Sequence, residues 1–416
     1  MESGQMERSR RVQYGEKVNF SQRRRRFSPM VSVTKTGNTF SVAKHGFAGS
    51  KRVELLSSCW RCALRVLLVA GRLDPSGTAM YVANLVRGLQ RLGQDVRLLY
   101  GGGAYGRMLA EEGYSVTQLD GLGREVYDLF VHRKQVKEAG RGWAQLVHIV
   151  SDYVLRRGSG IAQILGLKAV VSFHHIVDRP IMLPRSVVRV IAVSETIRTH
   201  LVNAGRLPKE RIRVVRSGVD IEQAKRNCQN RHEEHELVVG FVGGVEKRRG
   251  LEYLMKAFEL LHQRGQKCHL LIAGQGEMLQ EVRSWAKRSG LLEFVTLLPD
   301  FTSHWEVLAA TDILVLPSLQ EGYGQVVLEA MACGKVVVAT AVGAVADMME
   351  DGKTGILVEM KSAESLAQAL GRLLGDAELR RKMGEAGKAR VQKLFPANKM
   401  CEETVKIYEE VLEETV

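Results

Sequence analysis

Two series of short apolar runs, each interrupted by segments with helical spacing, organise this chain of 416 residues. The first series includes residues 63–70 and 187–193, and the second includes residues 237–242 and 335–339. Continuous apolar runs of this length are typical of parallel strands that helices cover on both faces. The polar segment 218–236 separates the two series. The sequence therefore predicts an α/β protein whose two doubly wound, Rossmann-like domains face a common cleft.

The pattern also predicts where the domains begin and end. We place the N-terminal domain at residues 63–218 and the C-terminal domain at residues 219–396. Residues 1–62 show no sustained period of two or 3.6 and contain four consecutive arginines, beginning at Arg23. This composition predicts a basic, disordered tail, or an upstream extension whose true start lies further along the chain.

Positive charge is concentrated in the first half of the chain. The formal net charge is +14 overall, and it divides into +9 for residues 1–62, +10 for residues 63–220 and −5 for residues 221–416. This division favours two domains with different partners. The basic half suits an anionic membrane surface, an acidic substrate or nucleic acid. We expect no nucleic-acid binding, because no aromatic residues alternate with the arginines to stack on bases.

The sequence predicts neither a membrane-spanning helix nor a secretory signal. No apolar run approaches the ~20 residues that a spanning helix needs, and the basic N-terminal residues precede no apolar stretch of signal-peptide length. The six cysteines are too sparse for a disulfide framework and are typical of a reducing cytosol. We therefore expect a cytoplasmic protein.

A strand, a glycine-containing loop and a helix open the first domain. The helix, predicted over residues 78–92, offers the unpaired N–H groups of its first turn to an anion. The preceding glycines do not match the G-x-G-x-x-G of a dinucleotide site. Gly77 is thus either a structural turn or a ligand contact. The same choice stays open for His174, at the carboxyl end of an apolar strand, where α/β sheets bind ligands.

The densest motif covers residues 317–334 and joins an apolar strand to a short helix. Glu321 lies in the loop before the helix and Glu329 lies inside the helix. Both acids can accept hydrogen bonds from hydroxyl groups, and the positive end of the helix favours a diphosphate between them. Gly322 and Gly324 let backbone N–H groups approach a ligand closely. The spacing leaves an alternative open, in which one glutamate is an acid at the start of the helix and the other lies on a solvated helix face.

The motif P-S-L-Q-E-G-Y-G-Q-V-V-L-E-A-M-A-C-G, from Pro317 to Gly334, resembles the hallmark of glycosyltransferase family 4 without a gap. The resemblance extends over roughly residues 64–412. It implies a GT-B fold, in which the two Rossmann-like domains enclose a nucleotide-sugar site and the last helix, here residues 397–416, returns to the first domain. It also implies retaining, metal-independent transfer without a cofactor.

The resemblance also assigns roles to individual residues. It implies that Glu321 contacts the hydroxyls of the donor sugar, that Glu329 holds the ribose and that Arg249 neutralises the diphosphate. It implies an active-site role for His174 and a place near the phosphates for Gly77. The donor-binding loop is expected to include Gly322, Tyr323, Gly324 and Gln325. No metal ligand is expected.

One departure from the family pattern concerns the phosphate site. The family commonly has a second phosphate-binding arginine where this chain has Gly244. We expect Lys247 or Arg248 to take its place, and we include Lys247 among the donor-binding residues.

The leading hypothesis is a hexosyltransferase that uses a nucleotide-diphosphate sugar and acts on a lipid-linked or polysaccharide acceptor, as in cell-envelope or exopolysaccharide synthesis. The sequence does not distinguish a UDP-sugar from a GDP-sugar. The +10 first domain favours peripheral docking on the anionic inner face of the membrane. The alternative, supported by Gly244, is a weak or inactive sugar-nucleotide-binding subunit of a glycosyltransferase complex.

Overall fold

The computed structural model describes residues 31–36, 39–44, 63–122, 132–228, 236–301 and 303–414. Within the first 61 residues it describes one antiparallel pair, β1 (Val31–Thr36) and β2 (Thr39–Lys44). The other residues of the predicted tail lie outside the described part of the chain. Residues 62–416 form a separate compact unit.

The N-terminal domain is built on a parallel sheet. Within the described residues this sheet has seven strands, in the spatial order β5-β4-β3-β6-β7-β8-β9. The strands are β3 (Arg65–Ala70), β4 (Asp95–Tyr100), β5 (Ser115–Gln118), β6 (Leu146–Val150), β7 (Ala169–Phe173), β8 (Val187–Ala192) and β9 (Ile212–Val214). The helices are α1 (Gly77–Arg91), α2 (Ala104–Glu111), α3 (Arg133–Gly140), α4 (Leu155–Leu165) and α5 (Glu195–Asn203).

The C-terminal domain repeats this architecture. Its described strands form a second parallel sheet in the order β12-β11-β10-β13-β14-β15. The strands are β10 (Val238–Val242), β11 (His269–Ala273), β12 (Val295–Leu298), β13 (Ile313–Leu316), β14 (Val336–Thr340) and β15 (Ile356–Val358). The helices are α6 (Ile221–Asn227), α7 (Leu251–Gln263), α8 (Leu279–Arg288), α9 (His304–Ala309), α10 (Gln325–Ala332), α11 (Val345–Met348), α12 (Ala363–Gly375) and α13 (Ala377–Leu394).

The apolar composition of the central strands follows from this layering. Every residue of β6, β7, β13 and β14 is buried, because helices cover both faces of each sheet. Some of the loops that follow strands lead into helices whose first turn is capped by a side chain, as at the starts of α1, α5 and α9. Ser76 Oγ, for example, accepts a hydrogen bond of 3.2 Å from the backbone N–H of Ala79 at the start of α1. The caps hold the helix starts at the carboxyl edge of the sheet.

The last helix, α14 (Ala397–Glu413), packs against α1 and β8 of the N-terminal domain. Tyr408 places its hydroxyl 2.6 Å from Nδ1 of buried His148 in β6. Gly88 in α1 permits the close approach of the two helices, since a Cβ at this position would lie 2.3 Å from Sγ of Cys401. The chain therefore crosses between the two domains twice, once before α6 and once before α14.

A disulfide joins Cys228, which follows α6, to Cys333, which follows the last residue of α10. This bond departs from the expectation of a chain typical of a reducing cytosol. The two cysteines are 105 positions apart, and only the packing of α6 against α10 brings them together. Cys268 and Cys401 are free and buried.

Candidate functional site

A cavity of about 900 Å³ lies between the carboxyl edges of the two sheets. The N-terminal domain contributes the segments that follow β3, β6 and β7, and the C-terminal domain contributes those that follow β10, β13 and β14. Ligands bind at these edges in doubly wound folds, because the loops that follow the strands form a crevice there and lead into helix N-termini. The cavity is therefore the candidate site.

Two helix N-termini from different domains reach this cavity. Ser76, Gly77 and the first turn of α1 line one side. Gly324, which adopts the left-handed conformation at φ 79°, and Gln325 at the start of α10 line the other. Each helix start presents unpaired N–H groups and a partial positive charge. Together they make a favourable environment for a diphosphate.

Arg249 and Glu321 form an ion pair on the cavity wall. Their side chains are 18% and 7% exposed, so the pair is largely shielded from solvent. Burial, reinforced by neighbouring Arg248, lowers the pKa of Arg249 to about 10, and the guanidinium still carries its charge at neutral pH. The Glu321 carboxylate also accepts a 3.1 Å hydrogen bond from the backbone N–H of Gly322. The structure thus brings together the predicted sugar-binding acid and the predicted phosphate-binding cation.

Gly322 brings the Glu321 loop against the end of β7. A Cβ at Gly322 would lie only 2.4 Å from the carbonyl oxygen of His174. His174 is buried at the cavity wall, with its Nε2 2.9 Å from Oγ of Ser172 and its ring 4.3 Å from that of Tyr81. Burial, with the nearby His148 and His175, lowers the pKa of His174 to about 3. His174 is therefore a neutral hydrogen-bonding group at physiological pH.

The side chains of Tyr323 and Gln325 line the cavity but form hydrogen bonds with the segment that connects the domains. The Tyr323 hydroxyl donates a 2.7 Å bond to the carbonyl of Ser217, and burial raises the pKa of Tyr323. The Gln325 amide bonds to Oγ of Ser217 at 2.8 Å and to the carbonyl of Gly218 at 3.0 Å. Tyr323 and Gln325, both predicted to bind the donor, therefore hold their loop against the segment that connects the two domains.

Glu329 is fully buried in α10 and is not among the described residues that line the cavity. Its Oε2 lies 3.1 Å from Nδ1 of His304, which does line the cavity. Sequence reasoning missed His304, because one histidine at the start of a short helix carries no periodic or spacing signal. The burial of Glu321 and Glu329 excludes the alternative of a solvated helix face for either acid.

The structure separates the two proposed substitutes for the missing arginine. Both Lys247 and Arg248 are exposed, but only Arg248 lines the cavity. Glu246 also lines the cavity, and its carboxylate bonds to Nε of Arg248 at 2.5 Å. A Cβ at Gly244 would lie 2.7 Å from Oε1 of Glu246. The fold therefore places Arg248, rather than Lys247, on the cavity wall.

A further cluster lies on the N-terminal rim, and sequence reasoning missed two of its members, Asp152 and Tyr153. Asp152 follows β6 and lies 3.0 Å from Nε2 of His175, which follows β7. Tyr153 stacks on the His175 ring, and both aromatic side chains line the cavity. These residues form no motif in the sequence, because the loop after β6 and the loop after β7 meet only through the pairing of the two strands. Among the described residues no group of acids, histidines and cysteines is arranged to hold a metal ion.

Two family models match the chain. The model for "Glycosyltransferase Family 4" matches residues 75–223, and the model for "Glycosyl transferases group 1" matches residues 222–390. The two matches adjoin at the segment between the sheets. Together they cover both domains that line the cavity.

Curated relatives match mainly over part of their length. The chain is 30% identical over 212 residues to alpha-D-kanosaminyltransferase of Streptomyces kanamyceticus, which is 48% of this chain and 55% of the relative. It is 33% identical over 218 residues to D-inositol 3-phosphate glycosyltransferase of Corynebacterium jeikeium, which is 48% of this chain and 52% of the relative. The chain thus spans little more than half the length of these relatives.

Solved structures share the architecture. Anabaena Alr3699/HepE in complex with UDP and glucose matches with a TM-score of 0.71 at 18% identity, covering 83% of this chain and all of that one. Sucrose-phosphate synthase from Thermosynechococcus elongatus matches with a TM-score of 0.66 at 20% identity, covering 85% of this chain and all of that one. At these identities the likeness concerns the fold, which is the predicted GT-B arrangement of two facing α/β domains.

Proposed function

Because the chain belongs to glycosyltransferase family 4, we propose that it is a retaining transferase that moves a hexose from a nucleotide-diphosphate sugar to a glycan or glycolipid acceptor. The observation that carries the proposal is the Arg249–Glu321 ion pair on the wall of a cavity flanked by two helix N-termini. A cation, an anion and fixed N–H donors at one place suit a ligand that joins a diphosphate to a hydroxyl-rich ring.

Departure of the diphosphate is the main barrier to this reaction. Breaking the anomeric C–O bond places negative charge on the nucleoside diphosphate and positive charge on the sugar. Arg249, Arg248 and the starts of α1 and α10 supply fixed positive potential on the cavity wall. Preorganised groups of this kind stabilise developing charge without reorganising during the reaction. They perform this work with no metal ion or cofactor in the proposed mechanism.

Glu321 provides the complementary negative group. In the free protein its carboxylate neutralises Arg249, and we propose that a bound diphosphate replaces it as the partner of the guanidinium. Glu321 is then released to accept hydrogen bonds from the sugar hydroxyls. His174 is neutral at physiological pH and contributes a hydrogen bond rather than a charge. At the cavity wall His304 takes the ribose, and Glu329 behind it holds the His304 ring in place.

Retention follows if the acceptor attacks from the face that the diphosphate leaves. The acceptor hydroxyl oxygen forms the new bond to the anomeric carbon while the bond from that carbon to the diphosphate breaks. The hydroxyl proton passes to a diphosphate oxygen. The contact between Gly322 and the His174 backbone brings the two domains together over the cavity, which excludes water and limits hydrolysis of the donor.

Donor turnover tests this proposal. Thermal-shift measurements with UDP-glucose, GDP-mannose and ADP-glucose identify the nucleotide, since a ligand that binds the folded chain raises Tm. Slow hydrolysis of that donor is then measured for the parent and for Arg249→Gln. We expect the substitution to reduce turnover by about 100-fold or more, as for loss of one preorganised donor. The matched control is Arg264→Gln, which breaks an exposed ion pair with Glu364.

A catalytically weak binding subunit is the second candidate. It is supported by Gly244, where the family resemblance leads us to expect an arginine, and by Glu246, whose carboxyl group lies beside it. Nucleotide-sugar binding without any hydrolysis or transfer by the parent chain would favour this candidate. Gain of turnover in a Glu246→Gln variant would show that this charge limits the site.

We propose a cytoplasmic location with peripheral docking on the inner face of the membrane through the basic N-terminal domain. No described helix is long and apolar enough to cross a membrane. Sedimentation with vesicles of anionic phospholipid tests the docking, and we expect binding that weakens with salt. Equal binding to neutral vesicles, or none to either kind, would contradict it.

A further inference from the structure

We propose that Asn84 and Gln325 are positioning residues, which fix the spacing between the starts of α1 and α10, the two helix N-termini that flank the cavity. One residue comes from each domain, and both bind the backbone carbonyl of Gly218 in the segment that connects the domains. This inference rests on the proposed transferase function. It deepens that function by naming the groups that set the geometry around the diphosphate.

The carbonyl oxygen of Gly218 accepts one hydrogen bond from each domain. Nδ2 of Asn84, in α1, donates to it at 3.0 Å, and Nε2 of Gln325, the first residue of α10, also donates to it at 3.0 Å. Asn84 and Gln325 are both buried, so water does not compete for either bond. A carbonyl oxygen has two lone pairs and can accept both bonds at once. The two helices are therefore tied to a single atom.

The starts of α1 and α10 also lie in direct contact. A Cβ at Gly77, the first residue of α1, would lie 3.1 Å from Cβ of Gln325. Asn84 follows Gly77 by about two helical turns, so the two residues lie on the same side of α1. The contact at Gly77 and the hydrogen bond of Asn84 therefore fix the first turns of α1 relative to the start of α10.

Gly218 lies where the two chain crossings between the domains run side by side. A Cβ at Gly218 would lie 2.7 Å from Cα of Ala397, the first residue of α14. The backbone N–H of Val219 donates to the carbonyl of Phe395 at 2.9 Å, and the N–H of Ala397 donates to the carbonyl of Val219 at 3.0 Å. Any rotation of one domain against the other takes place about these crossings. Bonds to Gly218 therefore act at the point where the domains turn.

Asn84 costs the fold free energy that an apolar residue would not. It lies among the buried residues of α1, and within the described residues its Oδ1 has no hydrogen-bond partner. A buried polar atom without a partner is unfavourable, so the single bond to Gly218 has to offset this cost. The side-chain oxygen of Gln325, by contrast, accepts a 2.8 Å bond from Oγ of Ser217. Asn84 therefore suits a role in positioning better than a role in packing.

The spacing of the two helix starts matters to a diphosphate and not to the rest of a nucleotide. The partial charge and the unpaired N–H groups of a helix act only within its first turn. A diphosphate gains from both helices only if both starts point at it, and donors held in place cost no reorganisation on binding. A nucleoside has no phosphate and does not use them. Loss of the spacing should therefore weaken the binding of the phosphates alone.

The binding of nucleoside diphosphates and of free nucleosides tests this role. UDP, GDP and ADP are titrated by calorimetry, and uridine, guanosine and adenosine are measured by saturation-transfer NMR. In Asn84→Leu and in Gln325→Met, we expect the diphosphate that the parent binds most tightly to bind about fivefold more weakly or worse, the usual size of a coupling at a distance. The affinity for the corresponding nucleoside should stay within about twofold, because the nucleoside does not reach the helix starts.

Thr311→Val is the matched control. Thr311 is fully buried outside the cavity lining, and its Oγ1 donates a 2.8 Å bond to the carbonyl of Val307. This variant should lower Tm without changing either affinity. Tm also shows whether each variant folds. If Asn84→Leu does not fold, Gln325→Met carries the test from the other side of the same carbonyl.

The double variant Asn84→Leu with Gln325→Met tests the shared carbonyl. It should bind the diphosphate little more weakly than the weaker single variant, because release of one helix start already frees the spacing. Additive losses would overturn the inference, as would unchanged diphosphate binding in the folded variants or equal weakening of diphosphate and nucleoside. Each of these results leaves the transferase proposal standing. A parent chain that binds none of the three diphosphates would overturn the transferase proposal and the positioning role with it.

Discussion

Arg249 and Glu321 neutralise each other on the wall of the interdomain cavity. Arg249 follows β10 and Glu321 follows β13, and these strands are neighbours in the second sheet. The pair therefore depends on the strand order of the C-terminal domain. Because Glu321 is the partner of Arg249, a diphosphate that binds Arg249 as proposed would have to displace it.

Replacement of Glu321 should separate nucleotide binding from turnover. In Glu321→Gln the guanidinium loses its internal partner and becomes available to the diphosphate. We expect UDP or GDP to bind at least as tightly as to the parent, while donor hydrolysis falls by about 100-fold or more. Calorimetric titration and a hydrolysis assay measure the two effects. Weaker nucleotide binding in this variant would contradict the proposed exchange of partners.

Acid should destabilise the fold through two buried histidines. Burial lowers the pKa values of His148 and His174 to about 3, whereas the unfolded chain binds their protons near pH 6.5. Stability should therefore be complete above about pH 6.5 and should fall as the pH drops from there toward 3. Each histidine should cost about 1 kcal/mol of unfolding free energy at pH 5.5.

Denaturant titrations at several pH values measure this slope. His148→Gln should reduce the slope between pH 6.5 and 5, because the unfolded variant no longer binds a proton at this position. An unchanged slope in the His148 variant would show that this histidine does not titrate as proposed.

Gly322 should tolerate no side chain if the closed contact is needed for turnover. Gly322→Ala would bring a Cβ within 2.4 Å of the His174 carbonyl oxygen, so the donor loop would have to shift away from β7. We expect turnover to fall strongly with only a modest change in Tm. Gly375→Ala is the control, because a Cβ there meets no atom within 4 Å. Equal turnover in the two variants would argue against the role of this contact.

The Cys228–Cys333 disulfide should stabilise the chain. Closing a loop across 105 positions restricts the unfolded state, and the expected contribution is about 2–4 kcal/mol. Reductant should lower the Tm of the parent, whereas the Cys228→Ser variant should start from the lower Tm and show no further change. A parent chain whose Tm is insensitive to reductant would show that the bond is not formed under those conditions.

His304 should be needed to hold Glu329 in the interior. His304→Leu would remove the hydrogen bond of 3.1 Å to a fully buried carboxylate, at a cost of about 1–3 kcal/mol in unfolding free energy. The double variant His304→Leu with Glu329→Gln should recover part of this loss, because the buried side chain left without its partner is then an amide, which cannot ionise. The single variant Glu329→Gln completes a double-mutant cycle. If the losses of the two single variants add up to that of the double variant, the two side chains do not interact.

The two-domain α/β fold could be predicted because its signal is local. A strand covered on both faces is largely apolar, as every residue of β13 is, and the helices between the strands repeat their apolar residues about every 3.6 positions. The motif around Glu321 could be recognised because the residues that build it are contiguous. The site residues missed by sequence reasoning, His304 and Asp152, belong to no such continuous segment.

The sequence by itself determined the succession of buried strands and amphipathic helices, and it determined that Glu321 and Glu329 stand before and within one helix. Only the tertiary structure decided which groups meet. It paired Arg249 with Glu321, placed His304 rather than Glu329 at the cavity wall, selected Arg248 over Lys247 and joined Cys228 to Cys333. The reason is physical: local spacing sets the periodicity of each element, whereas contacts between distant residues depend on strand order and on the packing of the two domains.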